Sequence, residues 1–192
     1  MPARDCSTII NKGADYILAL KGNQGTLLQE VMESFRFIQT TTLSVHHDLD
    51  HGRIEKRTCS VIEDLSMVDQ KDQWDSLKSL IRIESERCNK RSQEIEKETR
   101  YYISSLPSDA SHLNPCIRTH WRIENSLHWV LDVAFNEDQS RKRAGHAAQN
   151  YAVINRFALN LLKNEKTSKV GVKSKRLKAG WDAKYLSNLL KI

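Results

Sequence analysis

The stretch that most constrains this chain runs from His120-Trp121 through Glu124-Asn125-Ser126-Leu127-His128-Trp129 to Phe135. At the ~100° per residue of an α-helix, Ile117, His120, Glu124, Leu127, His128, Leu131 and Phe135 fall on one face. Trp129, Val130 and Val133 make the other side of the later turns apolar as well. A helix apolar on most sides is expected to be buried. Taking an ionised glutamate out of water is costly unless a cation, a metal or a dense hydrogen-bond shell compensates it. Two readings of Glu124 therefore stand. It pairs with Arg122, Arg118 or a flanking histidine at the rim of the core, or it serves as a ligand in a site.

Charge is distributed unevenly. Residues 139–192 carry 13 Lys and Arg against 2 acids, a net of +11, which leaves −5 for residues 1–138 of the overall +6. A basic quarter behind a mildly acidic body points to a polyanion, most simply nucleic acid, against the alternative of a solvated basic tail. The longest apolar run, 16–20, is far too short to span a bilayer, and the first residues lack the basic-then-apolar pattern of a signal peptide. Cys6, Cys59, Cys88 and Cys116 are scattered, with no CxxC pair, as expected of reduced thiols in a cytoplasmic protein. Membrane association is not expected.

Along the chain, residues 7–12 read as the last turns of a helix closed by Gly13. Residues 15–21 read as a strand buried on both faces in a parallel sheet. Thr26 is placed to cap a helix over 27–37. This α/β piece has one such strand where a parallel sheet needs several, so it looks cut from something larger. Strands are expected over 53–62, 80–87 and 99–106, separated by polar stretches that include a loop around 89–97. His46, His47, Asp48, Asp50 and His51 are read as a polar loop rather than a metal site, because adjacent ligands rarely converge on one ion without distant partners. Asn114-Pro115 reads as a helix start, with Asn as cap and Pro at the first helical position. A further helix is expected over 147–163, with Tyr151, Ile154, Ala158 and Leu161 on its core stripe. A Lys-rich linker at 170–178 then leads to a short amphipathic helix after Trp181 and Asp182.

Several strings, taken in order, resemble the C-terminal half of insertion-sequence transposases of the ISAs type, the group that includes the H-repeat-associated proteins. They are residues 13–25, from Gly13-Ala14-Asp15-Tyr16 to Asn23-Gln24-Gly25, then His51-Gly52-Arg53-Ile54-Glu55, then Arg100-Tyr101-Tyr102-Ile103-Ser104-Ser105. The helix from His120-Trp121 to Asp132-Val133 follows, then Glu137-Asp138 with Ser140-Arg141, and Ala158-Leu159-Asn160-Leu161-Leu162. The resemblance covers the chain from about residue 8 onward.

The resemblance implies an α/β fold: part of a ribonuclease-H-like transposase catalytic domain with a β-rich insertion and a helical, basic C-terminus. The segments it implies are a partial α/β segment at 1–40, the insertion at 41–107, helices carrying the glutamate at 108–164 and a basic tail at 165–192. Glu124 matches the Glu of the family's Asp-Asp-Glu triad, as catalytic residue and Mg²⁺ ligand. His120, Asn125 and His128 become its orienting neighbours. Cleaving DNA and joining its 3′ hydroxyl elsewhere are in-line displacements at phosphorus that two Mg²⁺ ions can assist. Arg141, Lys142, Arg143, Lys173, Lys175, Arg176 and Lys178 read as DNA phosphate contacts.

Residues 1–7 do not resemble the strand-and-Asp segment that precedes this region in the family, and Asp5 reads as a helix cap. The expectation is a truncated transposase, inactive alone, whose partners are DNA and either a second copy or a full-length transposase. The alternative is a non-catalytic DNA-binding or interaction protein that modulates a full-length transposase.

Overall fold

The computed structural model describes residues 3–50, 53–90 and 92–191. The chain divides into two compact units, residues 1–118 and 119–192.

The first unit is mixed α/β. Helix α1 (Ala3–Asn11) ends as the glycine at position 13 predicts. Gly13 has φ +71° and its N–H donates to Ile10 O at 2.8 Å, while Ala14 N–H donates to Ile9 O at 3.2 Å. These two bonds satisfy carbonyls that a helix end leaves open, in a left-handed conformation that costs glycine least. Asp5 lies in the first turn of α1 rather than at its cap, where its charge still complements the helix dipole.

Strand β1 (Ile17–Ala19) is followed by helix α2 (Gly25–Phe37). Strands β2 (Thr42–Asp50), β3 (Arg53–Ile62), β4 (Ser79–Asn89) and β5 (Ile95–Ser104) complete one antiparallel sheet in the order β1-β5-β4-β3-β2. The rows of the sheet explain its burial. Leu18, Ile103, Leu80 and Ile62 lie opposite one another across four strands. This row packs with Cys6, Tyr16, Leu20, Leu27, Val31, Val68 and Trp74 in one core. The adjacent row, Val61, Ile81 and Tyr102, points to the other face and is also buried. Toward 46–57 and 84–98 the inward positions turn polar, and ion pairs replace the apolar core.

Two expectations for this unit are corrected. The run 15–21 is no central parallel strand: β1 is a three-residue edge strand, antiparallel to β5. Side chains complete its pairing. Ser104 Oγ donates to Tyr16 O at 2.7 Å, and Tyr16 N–H donates to Ser105 Oγ at 2.9 Å. The segment read as a polar loop around His46 is the nine-residue strand β2. Its alternation sends His46 and Asp48 to one face and His47 to the other, which separates the would-be ligands. His51 lies outside the described residues.

Smaller shifts follow the same logic. Helix α2 begins at Gly25, with Gln24 at its N-cap and no side-chain cap from Thr26. The expected loop at 89–97 is a tighter hairpin turn, closed by Asn89 N–H donating to Glu94 O at 3.1 Å.

The helical run after the sheet starts earlier than Asn114-Pro115. Helix α3 (Ala110–Ile123) is capped by Asp109, whose Oδ1 accepts from Ser111 N–H at 3.0 Å and His112 N–H at 3.1 Å. Pro115 therefore sits inside the helix and withholds one backbone donor, while Asn114 is buried.

The second unit consists of a π turn (Glu124–His128), α4 (Trp129–Phe135), α5 (Ala147–Asn164), α6 (Val172–Trp181) and α7 (Ala183–Leu190). Leu131, Ala134, Phe135, Leu159 and Leu162 form its core. Asn136, at φ +54°, ends α4 in the left-handed conformation that asparagine tolerates best after glycine. Helix α7 follows Asp182 as expected, and Asp182 caps it, accepting from Tyr185 N–H at 2.9 Å. The Lys-rich stretch read as a linker is instead helix α6, for lysine is a good helix former. In α5 the buried residues are Asn155, Leu159 and Leu162, so the core stripe is rotated from the one expected, and Ile154 is 60% exposed. Among the described residues no helix is long and apolar enough to cross a membrane.

Candidate active site

Glu124 opens the π turn, in which the N–H of Trp129 donates to Glu124 O across five residues rather than four. Single π turns inside α-helices recur at functional positions because they re-aim side chains and loosen local carbonyls. One such carbonyl, Ser126 O, accepts from Lys163 Nζ of α5 at 2.6 Å. Lys163 thus braces the turn that carries Glu124, a role no periodicity in the sequence reveals.

The burial expected of this stretch is found at Leu131, Ala134 and Phe135 but not around Glu124. Glu124 is half-buried, Ile123 is 47% exposed and Trp129 is 61% exposed. His120, Asn125 and His128 are exposed. His120 makes an edge-on ring contact with Trp121, centroids 6.0 Å apart, and none of the three hydrogen-bonds the Glu124 carboxylate among the described residues. The cations proposed as its ion-pair partners are also elsewhere. Arg118 Nη2 lies 3.1 Å from Asp48 Oδ2 and its Nη1 lies 3.2 Å from Glu55 Oε2, and Arg122 is exposed. Within the described residues the Glu124 carboxylate has no ionic partner.

Mg²⁺ takes six oxygens in a near-regular octahedron, usually from more than one carboxylate plus water and substrate phosphate. Among the described residues no three His, Cys, Asp or Glu are grouped so as to hold a metal ion. Glu124 can supply one ligand, and that is short of a resident Mg²⁺ site.

The basic residues separate by environment. Arg141, Lys142, Arg143 and Lys173 are exposed. Lys142 Nζ stands 3.7 Å from the centre of the Tyr151 ring, a cation–π contact that leaves it at the surface. Arg176 and Lys178 are half-buried over Phe135 and Tyr185, at 5.5 and 4.5 Å from the ring centres. Lys175 is turned inward. Its ammonium donates to Leu162 O at 3.2 Å and Glu165 O at 2.5 Å, and pairs with Glu165 Oε2 at 3.2 Å.

Glu165, which the sequence does not single out, is the hub of this cluster. Its carboxylate accepts from Thr167 Oγ1, from Ser168 N–H at 3.0 Å and from the Tyr185 hydroxyl at 2.9 Å. Thr167 leads in drawing its pKa down to about 2 against the opposing effect of burial, with Ser168, Tyr185 and Lys175 adding to the pull. The Tyr185 phenol is pushed up to about 12, first by burial and then by its bond to Glu165.

The family described as "Transposase DDE domain" matches residues 6–161, and the chain belongs to it. It is 41% identical over 192 residues to "Putative transposase YncI" of Escherichia coli O157:H7, covering 96% of this chain and 49% of that one. It is 37% identical over 193 residues to "H repeat-associated putative transposase YhhI" of Escherichia coli K12, covering 95% of this chain and 50% of that one. "Putative protein YbfL" of the same strain is 38% identical over 193 residues, with 95% and 50% covered. The chain therefore spans about half the length of these relatives. No solved structure matches.

Proposed function

We propose that this chain is the glutamate-bearing portion of an insertion-sequence transposase, of ribonuclease-H-like architecture, acting in DNA strand cleavage and transfer with a divalent ion such as Mg²⁺. The observation that carries the reading is Glu124: a half-buried carboxylate without an ionic partner among the described residues, at the head of a π turn, inside the matched region. When bound, the divalent ion would supply charge stabilisation at the reacting phosphate. The chain's own contribution is the carboxylate, held in place by the turn that Lys163 braces. Arg141, Lys142, Arg143 and Lys173 are the phosphate contacts, and Lys175 is left out of that set because its charge is spent internally.

The test is a chimera joining the half of YncI that this chain does not cover to residues 1–192. Plasmid nicking dependent on Mg²⁺ or Mn²⁺ is expected, falling on the order of 1,000-fold in Glu124→Gln, as for loss of a group acting at the transition state. Equal cleavage after that substitution would overturn the assignment. The 192-residue chain alone is expected not to nick.

The exposed basic residues also favour a second reading, a DNA-binding protein without catalysis that modulates a full-length transposase. Replacing Arg141, Lys142 and Arg143 together by Ala should flatten the dependence of log affinity on log salt by up to ~3 in slope. Binding indifferent to salt would count against both readings' use of these residues.

A further inference from the structure

The two edges of the sheet in the first unit differ in kind. Strand β1 has three residues and is tied down by the hydroxyls of Ser104 and Ser105. Strand β2, at the opposite edge, runs for nine residues, and no strand lies beyond it among the described residues. Its pairing with β3 is unbroken from Thr42↔Val61 to Asp50↔Arg53, so no bulge twists it away. Proline, glycine and lysine, which commonly blunt an open edge, are missing from 42–50. Half of the backbone N–H and C=O groups of β2 therefore face outward in one row.

An apolar face accompanies that edge. Leu43, Val45 and Leu49 share one side of β2 by alternation, and Leu43 and Leu49 are 61% and 71% exposed. Leu49 begins a row that crosses the sheet through Ile54, Cys88 and Ile95, where Ile54 and Ile95 are exposed as well. Thr42 and Asp48, on the other side of β2, are engaged by α3. Ala110 N–H donates to Thr42 Oγ1 at 3.1 Å, and Arg118 pairs with Asp48 at 3.1 Å.

The strand is complementary to itself. Laid antiparallel on a second β2 about a two-fold axis through position 46, it pairs along its whole length. Leu43 then falls opposite Leu49 of the second copy, and by symmetry this pair occurs twice. Val45 meets His47, Ser44 meets Asp48, His46 meets its own counterpart, and no acid faces an acid. Leu43 of one copy thereby extends the Leu49, Ile54, Cys88 and Ile95 row of the other. The pairing would form roughly eight to ten backbone hydrogen bonds and bury on the order of 1,000 Å², the lower end of specific interfaces. We infer that β2 is a docking edge for a second copy of this chain, joining the two sheets into one. The inference uses the first unit alone and is independent of the role given to Glu124.

The test begins with sedimentation equilibrium of the purified 192-residue chain. A monomer–dimer equilibrium with a dissociation constant on the order of 10 µM is expected for an interface of this size. Leu43→Lys combined with Leu49→Lys sets lysine against lysine at both leucine pairs and should weaken the dimer at least ~10-fold. Its circular dichroism should match that of the wild type, because both side chains are mostly exposed.

Cross-linking reads the register without relying on those variants. In a background carrying Cys88→Ser and Cys116→Ser, His46→Cys faces itself across the axis and should give a disulfide-linked dimer on mild oxidation. Val45→Cys lies diagonal to its counterpart, about 7–8 Å away and outside disulfide reach, and should not. A chain still monomeric at ~200 µM, or a dimer indifferent to the two lysines, would overturn the inference. So would cross-linking through Val45→Cys in place of His46→Cys. Protection of 42–50 from hydrogen exchange that appears only when the uncovered half of YncI is added would give the edge to that half, and would overturn it too.

Discussion

Glu55 and Glu124 are both shielded carboxylates in this chain, and their surroundings could hardly differ more. Glu55, on β3, is met by three guanidinium groups: Arg57 at 2.8 Å, Arg118 at 3.2 Å and Arg87 at 3.7 Å. Arg57 is itself buried, and burial foremost lowers its pKa. Glu124, on the helical run of the other unit, has no such neighbour among the described residues. One acid has its charge fully used by the fold. The other keeps its charge available, which is the condition a ligand-binding carboxylate must meet. The strings that carry the family resemblance contain both residues, so motif membership alone does not separate an acid whose charge the fold uses from one left without an ionic partner among the described residues.

The largest test of this contrast is Glu55→Ala. It strands the Arg57 charge inside the sheet, and loss of one partner from a buried pair costs about 3–5 kcal/mol, to be read by urea denaturation. A change below ~1 kcal/mol would mean that Glu55 is not the structural acid. Leu159→Ala, in the core of the helical unit, should cost about 2–4 kcal/mol by the same measurement. It provides the scale against which that unit's carboxylates are judged.

Glu165 sharpens the comparison through pH. Its pKa is held at about 2, below the ordinary 4.5, so the stabilisation it gives is present above pH 4.5 and lost as pH falls toward 2. Glu165→Gln should lower the melting temperature at pH 7, and the gap to wild type should close between pH 4.5 and 2. A gap that persists at pH 2 would exclude linkage as its cause.

The smallest expected effect is the most discriminating. Glu124→Gln should alter stability by no more than ~0.5 kcal/mol, because a partly exposed acid without an ion pair loses little on neutralisation. A loss above ~1.5 kcal/mol would make Glu124 another Glu55.

Much of the fold is legible in the sequence where local chemistry and tertiary structure agree. Gly13 requires the left-handed conformation that closes α1, Asp182 caps α7, and the apolar run around Cys59 and Val61 carries strand β3 over the expected 53–62. Strand β2 was hidden because His46, His47 and Asp48 read as loop chemistry, although Leu43, Val45 and Leu49 alternate at period two beneath it. Helix α6 is concealed because a run of lysines reads as a solvated linker although lysine is itself a good helix former, and Lys175 reads as a surface charge for the same reason. At the site, the family motif picks out Glu124. The π turn stayed invisible, because a 3.6-residue period has no symbol for an added residue. Lys163, 37 positions away, could not be connected to Ser126 by any local pattern.

That added residue has a genetic consequence. A π turn is a helix one codon longer than its path requires, so deleting Ser126 should yield an uninterrupted α-helix rather than a broken one. Side chains beyond the deletion would stay close to their present side of the axis, because the wider turn is what absorbs the added residue, while the carbonyl that Lys163 holds and the turn that carries Glu124 would be gone. A single in-frame loss of three nucleotides would thus keep the helix and lose the aim of its acid, a lesion that resembles neither a destabilising mutation nor a replaced catalytic residue.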